Sequence, residues 1–198
     1  MSYMEALVNL GEVTGRELSR LLKAYLAGEV SMAQLVDLST VTISLAQQQG
    51  RVMAEVSLLS WMTANGLAEQ PAAARPIPHY ADSDRVRSGV QTIMDRGVID
   101  PDQVDMQLQR LGYSESVESS QRAMSAAMQE SGVVDGWTRG LEPGACQLCQ
   151  WWARDGQVWP VNHSMPTHKG CCCTPIPTND SVGHIVRRRP KKKKAVTA

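Results

Sequence analysis

Residues 31–65 read SMAQLVDLSTVTISLAQQQGRVMAEVSLLSWMTAN and contain no proline. Ser31 with Gln34 matches a capping box, which marks the start of a helix. Apolar or small residues then recur at helical spacing along one face: Leu35, Leu38, Thr42, Leu45, Val52, Val56, Leu59 and Met62. Unbroken, this helix is about 50 Å long, although Gly50 is a candidate break. A helix with one apolar stripe cannot bury it alone, so we expect a partner helix from this chain or another.

Shorter helices are predicted on both sides of this stretch. Upstream, Thr14 and Glu17 match a second capping box. The helix they predict has four residues on one face and a glycine stop: Leu18, Leu21, Leu22, Tyr25 and then Gly28. Downstream, the prolines of residues 67–83 indicate an extended linker. Three helices follow: one from Asp82 or Asp84 to Gly97, one capped by Asp100 and Pro101 and stopped by Gly112, and one over about 116–130.

The strand signal is weak. Residues 156–161 suggest a short hairpin between two groups of cysteines, and the chain from Pro175 onward is predicted to be loosely ordered. The sequence therefore predicts a mainly α fold. It has a long helical N-terminal region, a small irregular α+β zinc-knuckle module and a disordered basic tail.

The neutral total charge hides a strong asymmetry along the chain. Seven of the 20 basic residues lie in residues 187–194, whereas all 20 acidic residues precede them. Residues 1–186 therefore carry 13 basic and 20 acidic groups, a net charge of −7. The tail is a candidate nucleic-acid contact through Arg187, Arg188, Arg189, Lys191, Lys192, Lys193 and Lys194. The alternatives are a solvated tail and a tail that binds an acidic protein surface.

No membrane or export segment is predicted. No run approaches the roughly 18 apolar residues of a spanning helix, and the N-terminus lacks the basic region of a signal peptide. These features favour the reducing cytoplasm, where clustered cysteines more often bind metal than form disulfides. With 198 residues and no Phe, the chain has room for one ordinary domain or two small ones.

All five cysteines fall within residues 146–173, CQLCQWWARDGQVWPVNHSMPTHKGCCC. Two cysteine knuckles, residues 146–149 and 168–173, are separated by a short loop. This arrangement predicts a tetrahedral Cys₃His or Cys₄ site, which suits structural Zn²⁺. Cys146 and Cys149 form the first pair. The second knuckle supplies His168 with Cys171 or Cys173, whose alternate spacing points both side chains the same way. Reduced buried cysteines or a redox-sensitive site are the competing interpretations.

Other residues of this segment have more than one possible role. Cys172 is expected to face away from the metal, and His163 is expected in the loop, although it is a possible fifth ligand. Four tryptophans surround the module, either as core filler or as base-stacking platforms: Trp137, Trp151, Trp152 and Trp159. Asn162 and His163 faintly resemble the metal-binding turn of HNH nucleases. The zinc deaminase pattern is excluded, since no His-x-Glu precedes the first cysteine pair.

The order of these elements resembles one known family. GWTR (136–139) leads into ACQLC (145–149), then RDG (154–156) and HKGCCCTPIP (168–177). This combination is similar to the C-terminal part of the MuF-like minor capsid, or head morphogenesis, proteins of tailed bacteriophages, especially those of actinobacteria. The matching part covers about residues 116–178. Cys172 departs from the pattern, which has a charged or polar residue between the last two cysteines.

The resemblance implies a non-enzymatic virion component. It implies action in procapsid assembly in the host cytoplasm, with portal, major capsid or scaffold protein as partners and packaged DNA as a contact of the tail. The alternative is a zinc-dependent nucleic-acid-binding or HNH-like nuclease module. The expected divisions are a partner-docking helical region (1–66), a linker (67–83), a helical segment (84–133), a metal module (134–178) and a basic tail (179–198).

Overall fold

The computed structural model describes residues 2–67, 83–96 and 100–180. Its elements are α1 (Tyr3–Leu26), α2 (Met32–Ala64), α3 (Ser83–Asp95), α4 (Pro101–Ser131), β1 (Gly136–Gly140), α5 (Gln147–Ala153), a 3₁₀ turn (Arg154–Gly156), β2 (Trp159–Pro160) and β3 (Thr174–Thr178). The expected mainly helical fold with a small strand-containing region is confirmed. Most of the predicted linker and of the basic tail lies outside the described residues, so those predictions stay predictions.

Helix α1 begins eleven residues before its predicted N-cap. The Ser2 hydroxyl accepts a hydrogen bond from the Glu5 N–H at 3.2 Å, and the Ser2 N–H donates to the Glu5 carboxylate at 2.7 Å. The expectation that Thr14 starts the helix is wrong. Thr14 is buried within α1, and its hydroxyl donates to the Leu10 carbonyl at 2.7 Å, a bond to the preceding turn that Thr makes inside helices.

Helix α2 runs unbroken through Gly50 from the predicted Ser31 cap. At Gly50 it lies against α4, and the Ser120 hydroxyl donates to the Gly50 carbonyl at 2.7 Å. A Cβ at position 50 would lie 3.0 Å from the Ser120 Cβ and 3.1 Å from the Ser116 carbonyl oxygen. Gly50 therefore permits a close helix approach and does not break the helix.

The predicted apolar stripe of α2 is mostly wrong. The face that is buried mixes four larger apolar residues with small and polar ones: Leu35, Val36, Ser39, Thr40, Ile43, Ala46, Gln47, Gly50, Ala54 and Leu58. Of the predicted stripe only Leu35 is buried. The apolar residues that stay exposed form what we call the outer stripe: Leu38, Val41, Leu45, Val52, Val56 and Leu59. Around Gly50 the approach of α4 buries this face, because only small side chains fit between the two backbones there.

Helix α4 is the central element, and it packs against α1, α2 and α3. The Asp100 carboxylate caps it by accepting from the N–H groups of Asp102 at 3.1 Å and Gln103 at 3.2 Å. The two predicted helices over this stretch are one, because Gly112 does not stop it. A Cβ at Gly112 would lie 3.2 Å from the Thr14 Cγ2, so this glycine also serves a helix contact. The helix ends at Gly132, whose φ is +65°.

A three-stranded antiparallel sheet in the order β2-β1-β3 follows α4. β1 is central, with Trp137 opposite Trp159 in β2 and Pro177 in β3. The predicted hairpin over 156–161 is wrong because β2 pairs with β1. The chain after Pro175 is also more ordered than predicted, since β3 continues to Thr178. An edge strand accommodates these prolines because one side of its backbone is unpaired.

Three buried clusters of the described residues join these elements, beside a fourth around the cysteines. One lies among α1–α4 around Leu22, Ile43 and Leu108. A second joins α2 and α4 to the sheet around Met124 and Trp137, and the third includes Cys172. No helix among the described residues has the length and apolarity needed to cross a membrane.

Candidate metal centre

Four cysteines and one histidine meet from two short segments. Cys146 is the N-cap residue of α5, and Cys149 lies in its first turn. The second segment, 168–173, leads into β3. The His168 Nε2 lies 3.3 Å from the Cys146 Sγ and 3.2 Å from the Cys149 Sγ. The Cys149 and Cys171 sulfurs are 3.4 Å apart.

The donor atoms form two overlapping groups. Cys146, Cys149 and His168 form one, and Cys149, Cys171 and Cys173 form the other, with the atoms of each within 4.8 Å of one another. Cys149 belongs to both groups. Donors about 2.3 Å from a tetrahedral ion are about 3.8 Å apart, which is close to the observed separations. The predicted ligand candidates are therefore brought together as a possible metal-binding cluster.

The His168 ring presents the correct nitrogen to the cysteines. Its Nδ1 lies 3.2 Å from the Lys169 carbonyl oxygen. Because a carbonyl only accepts, Nδ1 carries the proton in this bond, and the Nε2 lone pair faces the thiols. Such a bond fixes the tautomer and orientation of metal-binding histidines. Trp152 lies against the same ring, with the ring centroids 6.0 Å apart.

Cys171 is better placed than Cys173 to be the fourth donor. The Cys171 Sγ lies in direct contact with Cys149, whereas the Cys173 Sγ also lies 3.9 Å from the Glu142 carboxylate. The hydrogen bond with Cys171 and then burial raise the pKa of Cys173 above its usual range. The Glu142 carboxylate would repel a thiolate at Cys173, which favours Cys171 as the fourth donor.

Cys172 faces away from this cluster, as predicted. It is buried with Leu7, Leu10 and Val117, and its Sγ lies 3.9 Å from the Met4 carbonyl oxygen. Burial raises the pKa of Cys172 to about 11. Cys172 is thus a core residue that joins the module to α1.

Gln121 of α4 supports the second knuckle, and sequence reasoning missed it. Its side-chain amide donates to the carbonyls of Cys171 at 2.9 Å and Cys173 at 2.7 Å. Gln121 precedes Cys171 by 50 residues and lies in mid-helix with no motif. No local signal identifies it, because the contact depends on how the module packs on α4.

Arg139 of β1 places a buried positive charge beside the cysteines. It donates to the Pro166 carbonyl, and its guanidinium lies 5.1 Å from the centroid of the Trp152 ring. Its Nε and Nη1 are buried with no hydrogen-bond partner among the described residues. A divalent ion held by three thiolates and a neutral imidazole carries a net charge of −1, which Arg139 would balance. The donor set and its surroundings therefore fit a zinc-type ion.

A buried carboxylate also attaches this loop to the helices. Glu115 of α4 is only 1% exposed at its side chain and lies 2.8 Å from an Arg85 nitrogen. Lys169 lies 3.7 Å from Glu115 and 2.9 Å from Glu118. Burial raises the pKa of Glu115, but the hydrogen bonds and charge of Arg85 outweigh it and hold the pKa below its usual range.

The remaining sequence candidates lie elsewhere. His163 is in neither donor group, and its ring stacks on Trp159 with centroids 4.5 Å apart. Trp137 is buried in the sheet core, whereas Trp151 is exposed. The seven basic residues of 187–194 lie outside the described residues.

Replacing Gln121 with glutamate is expected to weaken metal binding without removing a ligand. A carboxylate cannot donate to the carbonyls of Cys171 and Cys173, so Gln121→Glu leaves both without their donor. We expect metal affinity to fall about 10–100-fold, as for other residues that orient ligands. Competition with a chromophoric chelator measures this effect. Gln129→Glu makes the same change at an exposed position of α4 and should leave affinity unchanged; equal loss in both variants would exclude this role.

Metal affinity is expected to rise with pH. Burial raises the pKa of Cys149 to about 12, whereas the Cys149 backbone N–H lowers that of Cys146. Near neutral pH a metal must displace the Cys149 proton, and each proton displaced adds about one logarithmic unit of affinity per pH unit. Chelator competition at several pH values, corrected for the chelator's own protonation, measures the slope. A pH-independent affinity would contradict thiolate coordination.

Comparisons with known protein families, with curated proteins and with solved structures find no match for this chain.

Proposed function

We propose that this chain is a non-enzymatic minor capsid protein of a tailed bacteriophage, acting in head assembly and stabilised by one structural zinc ion. The observation that supports the structural part is the cluster of five donors on two short segments, in two groups that share Cys149; Gln121 of α4 holds the second segment. Cys146, Cys149, His168 and Cys171 would hold the ion. Bound there, zinc would cross-link α5 to the segment before β3.

A structural role is favoured over a catalytic one by the number of protein donors. Catalytic zinc sites keep a position open for water, whereas structural sites are filled by four protein ligands. Here five side chains compete for four positions. The nuclease alternative needs an additional metal-binding turn at Asn162 and His163, and His163 belongs to neither donor group.

The capsid assignment rests on the resemblance of residues 116–178 and on the layout of the chain. The proposed partners are portal, major capsid or scaffold protein, and the proposed location is the virion after assembly in the host cytoplasm. The basic residues 187–194 would contact packaged DNA. A rigid module on a long helical body suits a protein that docks on an assembly.

Affinity purification from infected host cells tests this proposal. A tagged chain should retain portal or capsid protein, and the assembled heads should contain it. Recovery with neither, and absence from heads, would contradict the proposal. A nicking assay with Mg²⁺ should show no cleavage above a Cys149→Ser control; metal-dependent cleavage would favour the nuclease alternative.

The tail is tested separately by a DNA gel shift at about 0.15 M salt. The full chain and a variant ending at residue 186 should differ in affinity and in salt dependence if the tail contacts phosphates. Equal binding by both would remove DNA from the proposed contacts while leaving the capsid assignment to the pull-down.

A further inference from the structure

The outer stripe of α2 is an apolar surface on the outside of the helical body, interrupted at its centre by Gln48 and Gln49. Its six residues, from Leu38 to Leu59, remain between 42% and 60% exposed. They follow one another at spacings of three or four residues, apart from a gap at Gln48 and Gln49. Scattered exposed apolar residues are ordinary, but a stripe along one helix face is typical of a helix-packing surface.

The stripe reads nearly the same in both directions. About a centre between Gln48 and Gln49, Leu38 mirrors Leu59, Val41 mirrors Val56 and Leu45 mirrors Val52. If Gln48 is counted with the first half and Gln49 with the second, successive residues in each half are three, four and three positions apart. An antiparallel pair of identical helices related by a two-fold axis brings such mirrored positions together, as an isologous interface requires.

We propose that a second copy of this chain packs against the outer stripe, with the two α2 helices antiparallel and the two-fold axis passing between Gln48 and Gln49. Leu45 of each copy then faces Val52 of the other. The two glutamines lie at the axis, where their amides both donate and accept hydrogen bonds with their mates. This dimer goes beyond the proposed function and does not depend on the metal.

The lack of charged residues on the outer stripe supports its pairing with a second copy of the same surface. Between Leu38 and Leu59 the charged residues are Arg51 and Glu55, which are partly buried at the flanks of the stripe. Arg51 is bonded to the Ser119 hydroxyl of α4 at 3.3 Å. Like faces therefore meet without repulsion, and the stripe offers no charge to attract an acidic or basic partner.

The size of the stripe predicts a reversible dimer. It is about 30 Å long, so with a width of about 10 Å it covers about 300 Å² per copy, which is the low end of the range for the largest apolar patch of a monomer, a patch that is often functional. Two copies would bury about 600 Å² in all, less than the roughly 1,000 Å² of a stable interface, so we expect a weak, transient dimer that forms only at high protein concentration.

Charge exchange across the axis tests both the dimer and its direction. Leu45→Glu and Val52→Lys each place an unpaired charge against an apolar residue, so each should raise the dimer dissociation constant at least about tenfold. The double variant L45E/V52K pairs opposite charges across the two-fold axis and should restore the dimer. In a parallel pair the same double variant would oppose like charges and remain a monomer.

Sedimentation of the full metal-loaded chain over about a hundredfold concentration range measures the dimer. Met106→Glu makes the matched change at an exposed residue of α4 and should leave the dimer intact. Circular dichroism and metal content establish that each variant is folded. A monomeric wild type overturns the proposal and leaves the stripe to residues 68–82 or to another protein. Dimers unaffected by either single change, or a monomeric double variant, also overturn it.

Discussion

Replacing Cys149 with serine is expected to abolish stoichiometric metal binding and to unfold the cysteine module. Cys149 belongs to both donor groups and is fully buried, so its loss leaves each group with only two donors. Metal affinity should fall by at least about a hundredfold. Elemental analysis gives the metal content, and near-ultraviolet circular dichroism reports the packing of the surrounding tryptophans.

Cys172→Ser is the matched control, because it makes the same atomic change 23 positions away in the same module. It should retain one metal per chain while lowering the free energy of unfolding by about 1–3 kcal/mol, the cost of a buried polar group with poor partners. Cys171→Ser and Cys173→Ser then separate the two candidate fourth ligands, with the loss expected for Cys171. Full metal content in Cys149→Ser would refute the site.

Replacing Gly50 with leucine is expected to be the most destabilising change in the helical body. The first added carbon already lies 3.0–3.1 Å from α4 atoms, and the remaining carbons have no space between the backbones. The Ser120–Gly50 hydrogen bond would be lost as the helices separate. We expect about 3 kcal/mol or more of lost stability, measured by chemical denaturation.

Gly89→Ala is the control for glycine in a helix. A Cβ there meets the Leu111 side chain at ordinary contact distances of 3.6 and 3.7 Å. Alanine should therefore raise the free energy of unfolding by about 0.5–1 kcal/mol, through its better helix propensity. Comparable losses from Gly50→Leu and Gly89→Ala would show that the α2–α4 approach does not explain the glycine at position 50.

Local signals in the sequence predicted the parts of this protein that depend on neighbouring residues. The capping box at Ser31 and the cap at Asp100 are where they were expected, because a cap uses only the first turn of its helix. The cysteine pairs were found by spacing, and Cys172 was assigned to the opposite side from its neighbours by the alternation of an extended segment.

Residues whose role depends on a partner element were assigned wrongly from the sequence. Thr14 and Gly112 resemble a helix start and a helix stop, yet both lie inside helices at the contact between α1 and α4. Gly50 resembles a break and is a contact. The strand pairing of β1 with β2 and β3 was missed because no single segment carries a strong alternation.

The amino-acid sequence was sufficient for the helical class, for the caps at Ser31 and Asp100 and for the set of cysteine and histidine donors. Long-range packing was needed to identify the buried face of α2, to place Gln121 and Arg139 beside the cysteines and to leave the outer stripe exposed. The physical reason is that caps and knuckles act within a few residues, whereas a buried face depends on which partner comes close. Here α4 approaches the face of α2 that carries Gly50, so the apolar residues of the outer stripe remain on the opposite side, exposed.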